Sequence, residues 1–136
     1  MLNMESKEET INKKIGSFKD LNCWKESHLL ILEIYKITSK FPQSEVFALT
    51  SQMHRASVSI TSNIAEGFAR QSYKEKLQFY YISRGSLVEL ENQLLISKDI
   101  GYIDLEKYII INIKLNVAHQ LINGIINSTK KYIKNE

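Results

Sequence analysis

The sequence is poor in residues that interrupt or cross-link a chain. Its 136 residues include one proline, five glycines and one cysteine. An all-β fold needs turn residues at every hairpin, so this scarcity favours long helices with few breaks. The lone thiol, Cys23, has no partner for an intrachain disulfide. With 43% hydrophobic residues, the chain is long and apolar enough for one domain with a packed core.

The sequence also lacks the marks of secretion and of membrane insertion. No charged and then apolar leader opens it, and a lone cysteine suits a reducing compartment, so we expect a cytoplasmic protein. The longest uncharged stretch, residues 115–129, contains several amides and is too short to cross ~30 Å of hydrocarbon, which predicts no membrane partner. The formal net charge of +3 permits contact with nucleic acid without requiring it.

Breaks in the apolar periodicity predict a flexible tail over residues 1–17 and a four-helix domain over residues 18–136. The first helix is predicted over residues 21–40, with Asp20 as its N-cap and Pro42 beyond its end. Its predicted core face consists of Leu21, Trp24, His28, Ile31 (or Leu32), Tyr35 and Thr38 (or Ser39).

Ser44 is the predicted N-cap of the second helix. Frequent small side chains in this helix predict close approach of a neighbouring backbone, and Gly67 is expected as a left-handed terminal residue or a tight helix junction. The predicted core face consists of Val46, Leu49, Met53, Ala56, Ile60 and Ile64.

Ser72 and Glu75 form a predicted capping box for the third helix, which ends near Gly101. Asp104 is the predicted cap of the fourth helix, whose apolar residues cover more than one face and predict more than one neighbour. Four helices joined by short loops predict an all-α, up-down-up-down antiparallel four-helix bundle. The core face of the third helix is predicted as Phe79, Ile82, Ser86, Leu90 and Leu94, with Leu87 alongside.

Motifs for catalysis or metal binding are missing. His28, His54 and His119 have no second ligand at helical spacing, and the paired Glu-x-x-His motifs of di-iron bundles are absent. The chain has no glycine-rich nucleotide loop and no Gly-x-Ser-x-Gly motif. We therefore predict no catalytic residue, metal, cofactor or small-molecule substrate, and we expect Cys23 to be a buried, inert thiol.

Charged residues in the middle of the chain stand where a bundle would partly bury them. Glu66 and Arg70 have the spacing of a helical ion pair, and Gly85 within a helix usually permits close packing. An interhelical or intersubunit charge network is one interpretation, and a ligand or nucleic-acid site is another. The residues concerned are Asn63, Glu66, Gly67, Arg70, Arg84, Gly85, Glu89 and Glu91. An enzyme would draw its carboxylates from Glu66 with Glu89 or Glu91.

The fourth helix also carries amides at helical spacing. Such a stripe is compatible with a wet channel, a contact with an identical subunit, a contact with RNA backbone, or a solvated face. Lysines after the stripe complement the helix dipole. The amides are Asn112, Asn116, Gln120, Asn123 and Asn127, and the lysines are Lys130, Lys131 and Lys134.

From Phe18 to about Ile126 the chain resembles the bacterial four-helix bundle proteins that include those encoded in intervening sequences of 23S ribosomal RNA genes. The resemblance rests on an ordered set of motifs. They are Phe18-x-Asp20-Leu21-x-x-Trp24, Ile34-Tyr35, Phe41-Pro42, Glu45, Leu49-Thr50-x-Gln52, Arg55-Ala56, Ser59-Ile60, Asn63-Ile64-Ala65-Glu66-Gly67, Arg70, and Arg84-Gly85-Ser86-x-x-Glu89-Leu90-Glu91.

The resemblance implies a left-handed bundle that assembles into a homopentamer and has no enzymatic activity. It also implies similarity to the accessory protein of diversity-generating retroelements, a basic pentamer that engages reverse transcriptase and nucleic acid. Thr61 stands where many members have a proline, so the second helix is expected to run straighter here.

Two hypotheses follow. The first is a non-enzymatic protein that assembles into a cyclic homo-oligomer, a pentamer, through heterologous contacts. The second is an RNA- or DNA-binding module in which the ring multiplies a small charge per chain. Its candidate contacts are Arg55, Arg70, Lys74, Lys76, Lys130, Lys131 and Lys134.

Overall fold

The computed structural model describes residues 15–134, and within this range it contains four α-helices and no strand. The helices are α1 (Asn22–Thr38), α2 (Leu49–Ala69), α3 (Tyr73–Asp99) and α4 (Leu105–Ile133). Single 3-10 turns at Phe18–Asp20 and Gln43–Glu45 precede α1 and α2. The predicted all-α bundle is confirmed. The predicted tail, except residues 15–17, lies outside the described residues.

The helices form a closed square in which each packs mainly against two neighbours. α1 contacts α2 and α4, and α3 contacts α2 and α4. The Ser83 hydroxyl donates to the Ile60 carbonyl at 2.8 Å, while Ser97, further along α3, donates to Met53, earlier on α2. Rising numbers on α3 therefore meet falling numbers on α2, which makes the two helices antiparallel. The fourth helix has the two neighbours that its sequence predicts.

The core face of α1 is only partly the predicted one, because Ile31 and Thr38 are buried as predicted but the aromatic positions are not. Leu30 and Ile34 are fully buried, whereas Trp24 and His28 lie at the edge and Tyr35 is 42% exposed. A spacing of three and four residues fits both faces, and aromatic rings with polar atoms are stable at a half-exposed edge. The edge rings contact other rings: Phe18 meets Trp24 edge to face, Trp24 stacks on His28, and Tyr35 stacks on His54.

The core faces of α2 and α3 are partly as predicted. Met53, Ala56, Ile60 and Ile64 of α2 are buried, but Val46 precedes the helix and is exposed. On α3 the predicted Leu87, Leu90 and Leu94 are buried and Ile82 is exposed, so the core face begins instead with Leu77, Tyr80 and Ser83.

Two predicted N-caps are wrong. The Asp20 carboxylate accepts from the Gly16 and Ser17 amides at 3.0 and 3.1 Å, so it closes the 3-10 turn before α1 instead of capping the helix. Ser44 lies inside the second 3-10 turn, and α2 begins later, where the Glu45 carboxylate accepts from the Leu49 amide at 3.2 Å. In both cases a 3-10 turn separates the polar residue from the helix.

The predicted caps of the other two helices are confirmed. The Ser72 hydroxyl accepts from the Glu75 amide at 3.1 Å, which is the serine half of the predicted capping box, and the Asp104 carboxylate accepts from the Lys107 amide at 2.8 Å. Gly101 has a φ of +87° and provides the predicted left-handed turn between α3 and α4. These signals lie immediately before or after their helices, so local chemistry alone fixes them.

The α1–α2 and α3–α4 connections meet at one end of the bundle. The Tyr102 hydroxyl donates to the Glu45 carboxylate at 2.8 Å, and the Tyr102 and Phe41 rings lie 5.1 Å apart. The hydrogen bond to Glu45 raises the pKa of Tyr102. These contacts join the two connections. The α2–α3 turn, the start of α1 and the end of α4 lie at the opposite end of the bundle.

Close contact between α2 and α3 follows from small residues, as predicted. A Cβ atom added to Gly67 would lie 2.7 Å from the Tyr80 ring, so Gly67 is a tight helix junction and not a left-handed residue. The Ser59 and Ser86 hydroxyls share a hydrogen bond of 2.7 Å across the same contact. The predicted packing role of Gly85 is wrong within one chain, because nothing lies within 4 Å of a Cβ atom placed there.

The two glycines provide a matched pair of substitutions. We expect Gly67→Ala to lower the free energy of unfolding by about 1–3 kcal/mol, because the new methyl group displaces Tyr80. Gly85→Ala is expected to raise it by about 0.5–1 kcal/mol through helix propensity alone. Urea denaturation followed by circular dichroism measures both changes. Equal effects of the two substitutions would contradict the assigned contact.

Candidate functional site

A cationic surface, here called the basic end, forms where α3 starts and α4 stops. The stacked rings of Tyr73 and Tyr132, 4.9 Å apart, join the two helix ends. The antiparallel packing therefore brings together cations that are far apart in the sequence. The basic end comprises Arg70, Lys74, Arg84, Lys130, Lys131 and Lys134.

Aromatic rings lie beneath several of these cations. The Arg70 guanidinium lies 4.6 Å from the centre of the Phe79 ring. Arg84 and Lys130 lie 5.2 and 5.6 Å from the centre of the Tyr81 ring. Arg84 also donates to the Asn123 side chain of α4 at 3.1 Å. Cation–π contacts and this hydrogen bond hold the cations at the surface without neutralising them.

Within residues 15–134, the one ion pair closer than 4 Å joins Lys98 and Asp99, at the far end of α3. The cations of the basic end thus have no carboxylate in direct contact in this part of the chain. Glu66 and Glu75 are the acidic residues of the last turn of α2 and the first turn of α3. The charge of the basic end therefore stays available to an external anion.

Two residues of the predicted nucleic-acid set, Lys76 and Arg55, do not belong to the basic end. The Lys76 ammonium donates to the Phe68 carbonyl at 2.6 Å and lies 3.4 Å from the Gly67 carbonyl, so it caps the end of α2. Burial lowers the pKa of Lys76. Arg55 lies in the middle of α2, away from the basic end, beside Tyr35 and Val58.

Sequence reasoning missed the tyrosines of this site, and it placed Arg84 in the charge network, for which a ligand or nucleic-acid site was the alternative interpretation. Tyr73, Tyr81 and Tyr132 alternate with cations in the sequence, at Tyr73-Lys74, Tyr81-x-x-Arg84 and Lys130-Lys131-Tyr132. That alternation was the available signal, since aromatic residues among cations are typical of surfaces that bind nucleic acid.

The predicted charge network is not formed inside the described part of one chain. Arg70 follows the last residue of α2 with an extended backbone, so it does not continue the helical spacing from Glu66. Asn63 donates instead to the carbonyl and hydroxyl of Ser59 at 2.8 and 3.0 Å. The intersubunit form of the network stays a prediction.

The carboxylates considered for an enzyme do not converge. Glu89 lines a shallow depression between α2 and α3 together with Arg55. Glu91 faces the α3–α4 side, beside Tyr108. Glu66 is exposed on α2. Because Glu89 lies level with Arg55 and Ala56, well before Glu66 on α2, and Glu91 faces the α3–α4 side, neither forms an acid and base pair with Glu66.

Among the described residues, no group of three His, Cys, Asp or Glu side chains is placed to hold a metal ion. The Thr38 hydroxyl and the His54 Nε2 atom share a hydrogen bond of 2.8 Å, and the same hydroxyl lies 2.8 Å from the Ile34 carbonyl. Burial lowers the pKa of His54. Burial also raises the pKa of Cys23 to about 11, which keeps the thiol protonated and unreactive.

Two apolar patches lie on opposite sides of the bundle. In the α1–α2 patch, Tyr35 and Val58 line one groove, and Leu32 is exposed one helical turn before Tyr35. In the α3–α4 patch, Val88 and Leu95 line one groove with Tyr108, and Leu105 and Ile109 are exposed close to Tyr108 in the sequence. Apart from Tyr108, these side chains are between 41% and 62% exposed. Since the helices form a closed square, the α1–α2 side is opposite the α3–α4 side.

The outer face of α4 extends the α3–α4 patch. Ile110, Ile113 and Val117 are exposed along it. By length and composition alone, α4 could cross a membrane, because an 18-residue window within it has a mean hydropathy of 1.3. Of that window, 28% is buried in the bundle. Of the predicted amide stripe, Asn123 bonds to Arg84 while Asn116 and Asn127 are exposed. The outer face of α4 is therefore suited to an apolar partner.

Comparison with known proteins agrees with the fold and with the resemblance seen in the motifs. Residues 19–124 match a family model described as 23S rRNA-intervening sequence protein. A crystal structure of a protein of unknown function from the S23 ribosomal protein family, from Bacteroides thetaiotaomicron VPI-5482, is similar, with a TM-score of 0.68 and 25% sequence identity. The similarity covers 76% of this chain and 97% of that one. No curated protein matches the chain.

The position of Lys76 leads to a stability prediction. Lys76→Met removes the donor to the Phe68 carbonyl, so we expect the free energy of unfolding to fall by about 1–2 kcal/mol. Lys74→Met, an exposed change in the same helical turn, is expected to stay within about 0.5 kcal/mol of the parent. Urea denaturation measures both. If the two variants unfold alike, Lys76 is not a cap.

Proposed function

The chain belongs to the 23S rRNA-intervening sequence protein family, and we propose that it is a non-enzymatic protein that assembles into a cyclic homo-oligomer. In this ring the α1–α2 patch of one subunit contacts the α3–α4 patch of the next. The pentamer implied by the motif resemblance is the proposed stoichiometry.

The opposite placement of the two patches is the observation that carries this proposal. An isologous dimer needs one self-complementary patch, whereas a ring needs two different patches on different sides of the subunit. Burying apolar surface favours association by roughly 25 cal/mol per Å². Charged or polar residues flank the apolar ones, including Arg55 beside Val58 and Glu91 beside Val88, which is typical of a protein interface with a polar rim.

The mass in solution tests the assembly. We expect light scattering at micromolar concentration to give a multiple of the 15.8 kDa chain. Val58→Glu and Val88→Glu, one in each patch, are each expected to give monomers, because a carboxylate buried in an apolar contact is unfavourable. Val46→Glu, an equally exposed valine outside both patches, is the matched control and keeps the parent mass.

Mixing the variants tests the direction of the contact. The Val58→Glu subunit keeps its α3–α4 patch and the Val88→Glu subunit keeps its α1–α2 patch, so an equimolar mixture is expected to form a dimer of about twice the monomer mass. An isologous contact predicts no such complementation. A monomeric parent protein would overturn the proposal.

A second candidate function, binding of RNA, is supported by the basic end. Its cations lie together, they have no ion pair within the described residues, and a pentamer would carry a formal net charge of about +15, five times that of one chain. Phosphate contacts release counterions and therefore weaken with salt. Assembly and RNA binding are compatible, because a ring presents the basic end in several copies.

The salt dependence of RNA binding tests this second function. We expect labelled RNA to be retained at about 50 mM salt and released at a few hundred millimolar. The double variant Lys131→Gln and Lys134→Gln is expected to weaken retention and to reduce the salt slope by about two. Lys107→Gln, an exposed lysine near the other end of α4, is the control and leaves both unchanged. Negligible retention at low salt would contradict RNA binding.

A further inference from the structure

Three tyrosine rings lie among the cations of the basic end, and one of them stays open to solvent. Tyr81 is covered by Arg84 and Lys130. The ring of Tyr73 supports one face of Tyr132 at 4.9 Å and an interplanar angle of 17°. Tyr132 itself is 52% exposed. It lies next to Lys131 in the sequence and two residues before Lys134.

We propose that Tyr132 is a stacking platform for an unpaired base, so that the basic end binds single-stranded nucleic acid in preference to duplex. The proposal rests on the second candidate function, RNA binding, for which the lysines alone would be sufficient. It adds the class of strand that the site recognises.

The ring geometry supports stacking. A base stacks on an aromatic face when that face is exposed and held in a fixed orientation. The near-parallel contact with Tyr73 restrains the Tyr132 ring, and Tyr73 is the first residue of α3, directly after the N-cap Ser72. The half-exposed ring therefore has one face toward the bundle and surface left for a ligand.

The surrounding charges suit a strand that passes over this ring. Lys74 on α3 and Lys131 and Lys134 on α4 are exposed. Phosphates on either side of a stacked base would contact these ammonium groups. In a duplex the base faces are already stacked on their neighbours, so Tyr132 would gain no contact and the lysines alone would bind.

Strands with and without bases separate these contributions. The probes are an oligoadenylate of about 12 nucleotides, an abasic strand of equal length and an RNA duplex, at about 50 mM salt. We expect the parent protein to bind oligoadenylate about 5- to 150-fold more tightly than the abasic strand, since a stacked base contributes about 1–3 kcal/mol. DNA oligomers of the same kinds show whether the sugar matters.

Substitution of the ring then assigns the preference to Tyr132. Tyr132→Leu is expected to remove the difference between oligoadenylate and the abasic strand and to leave duplex binding unchanged. Tyr132→Phe keeps the ring and is expected to retain the difference. The mass in solution and the circular dichroism spectrum show whether each variant folds and assembles like the parent.

The outcomes distinguish a failure of the stacking role of Tyr132 from a failure of RNA binding itself. Equal binding of all strands by the parent, or an unchanged preference in Tyr132→Leu, overturns the stacking role and leaves RNA binding intact. Absence of binding to every probe overturns RNA binding and the stacking role together. A loss of duplex binding in Tyr132→Leu equal to the loss for oligoadenylate assigns Tyr132 to positioning the lysines and overturns stacking.

Discussion

Close contact between α2 and α3 determines much of the remaining architecture. Gly67 lets the Tyr80 ring reach the α2 backbone. Ser83 is a small residue at the same contact, and its hydroxyl donates a hydrogen bond to the Ile60 carbonyl of α2. Two helices that approach so closely need only a short turn between them, which places Arg70 directly beside the start of α3. The α2–α3 pair is thus the rigid element on which one half of the basic end is built.

Much of this fold follows from the sequence, but the orientation of α1 does not. The caps Ser72 and Asp104 and the left-handed Gly101 act through local hydrogen bonds and backbone geometry, which a sequence displays directly. The face of α1 depends on competition between Leu30 and Trp24 for the core, which tertiary packing decides. A 3-10 turn before a helix likewise moves a capping residue away from the helix start without changing local composition.

The charged residues of the candidate site could be predicted from the sequence, but its aromatic rings could not. Lysines at the end of α4 are visible in the sequence, but whether a lysine faces solvent or bonds a carbonyl, as Lys76 does, depends on the neighbouring helix. Apolar periodicity does not distinguish a residue that is buried within the chain from one such as Val88 that is half-exposed. The two apolar patches, and their opposite placement, therefore emerge only when the helices are packed.

The scarcity of ion pairs has a consequence for how fold and binding respond to ionic strength. Within residues 15–134 the bundle is held by apolar packing, hydroxyl–carbonyl bonds and stacked rings, with one exposed Lys98–Asp99 pair. Added salt has little short-range Coulomb attraction to screen in this part of the chain, while it weakens contacts to phosphate. Added salt is therefore expected to screen the exposed cations of the basic end while leaving the packing of the bundle nearly unchanged.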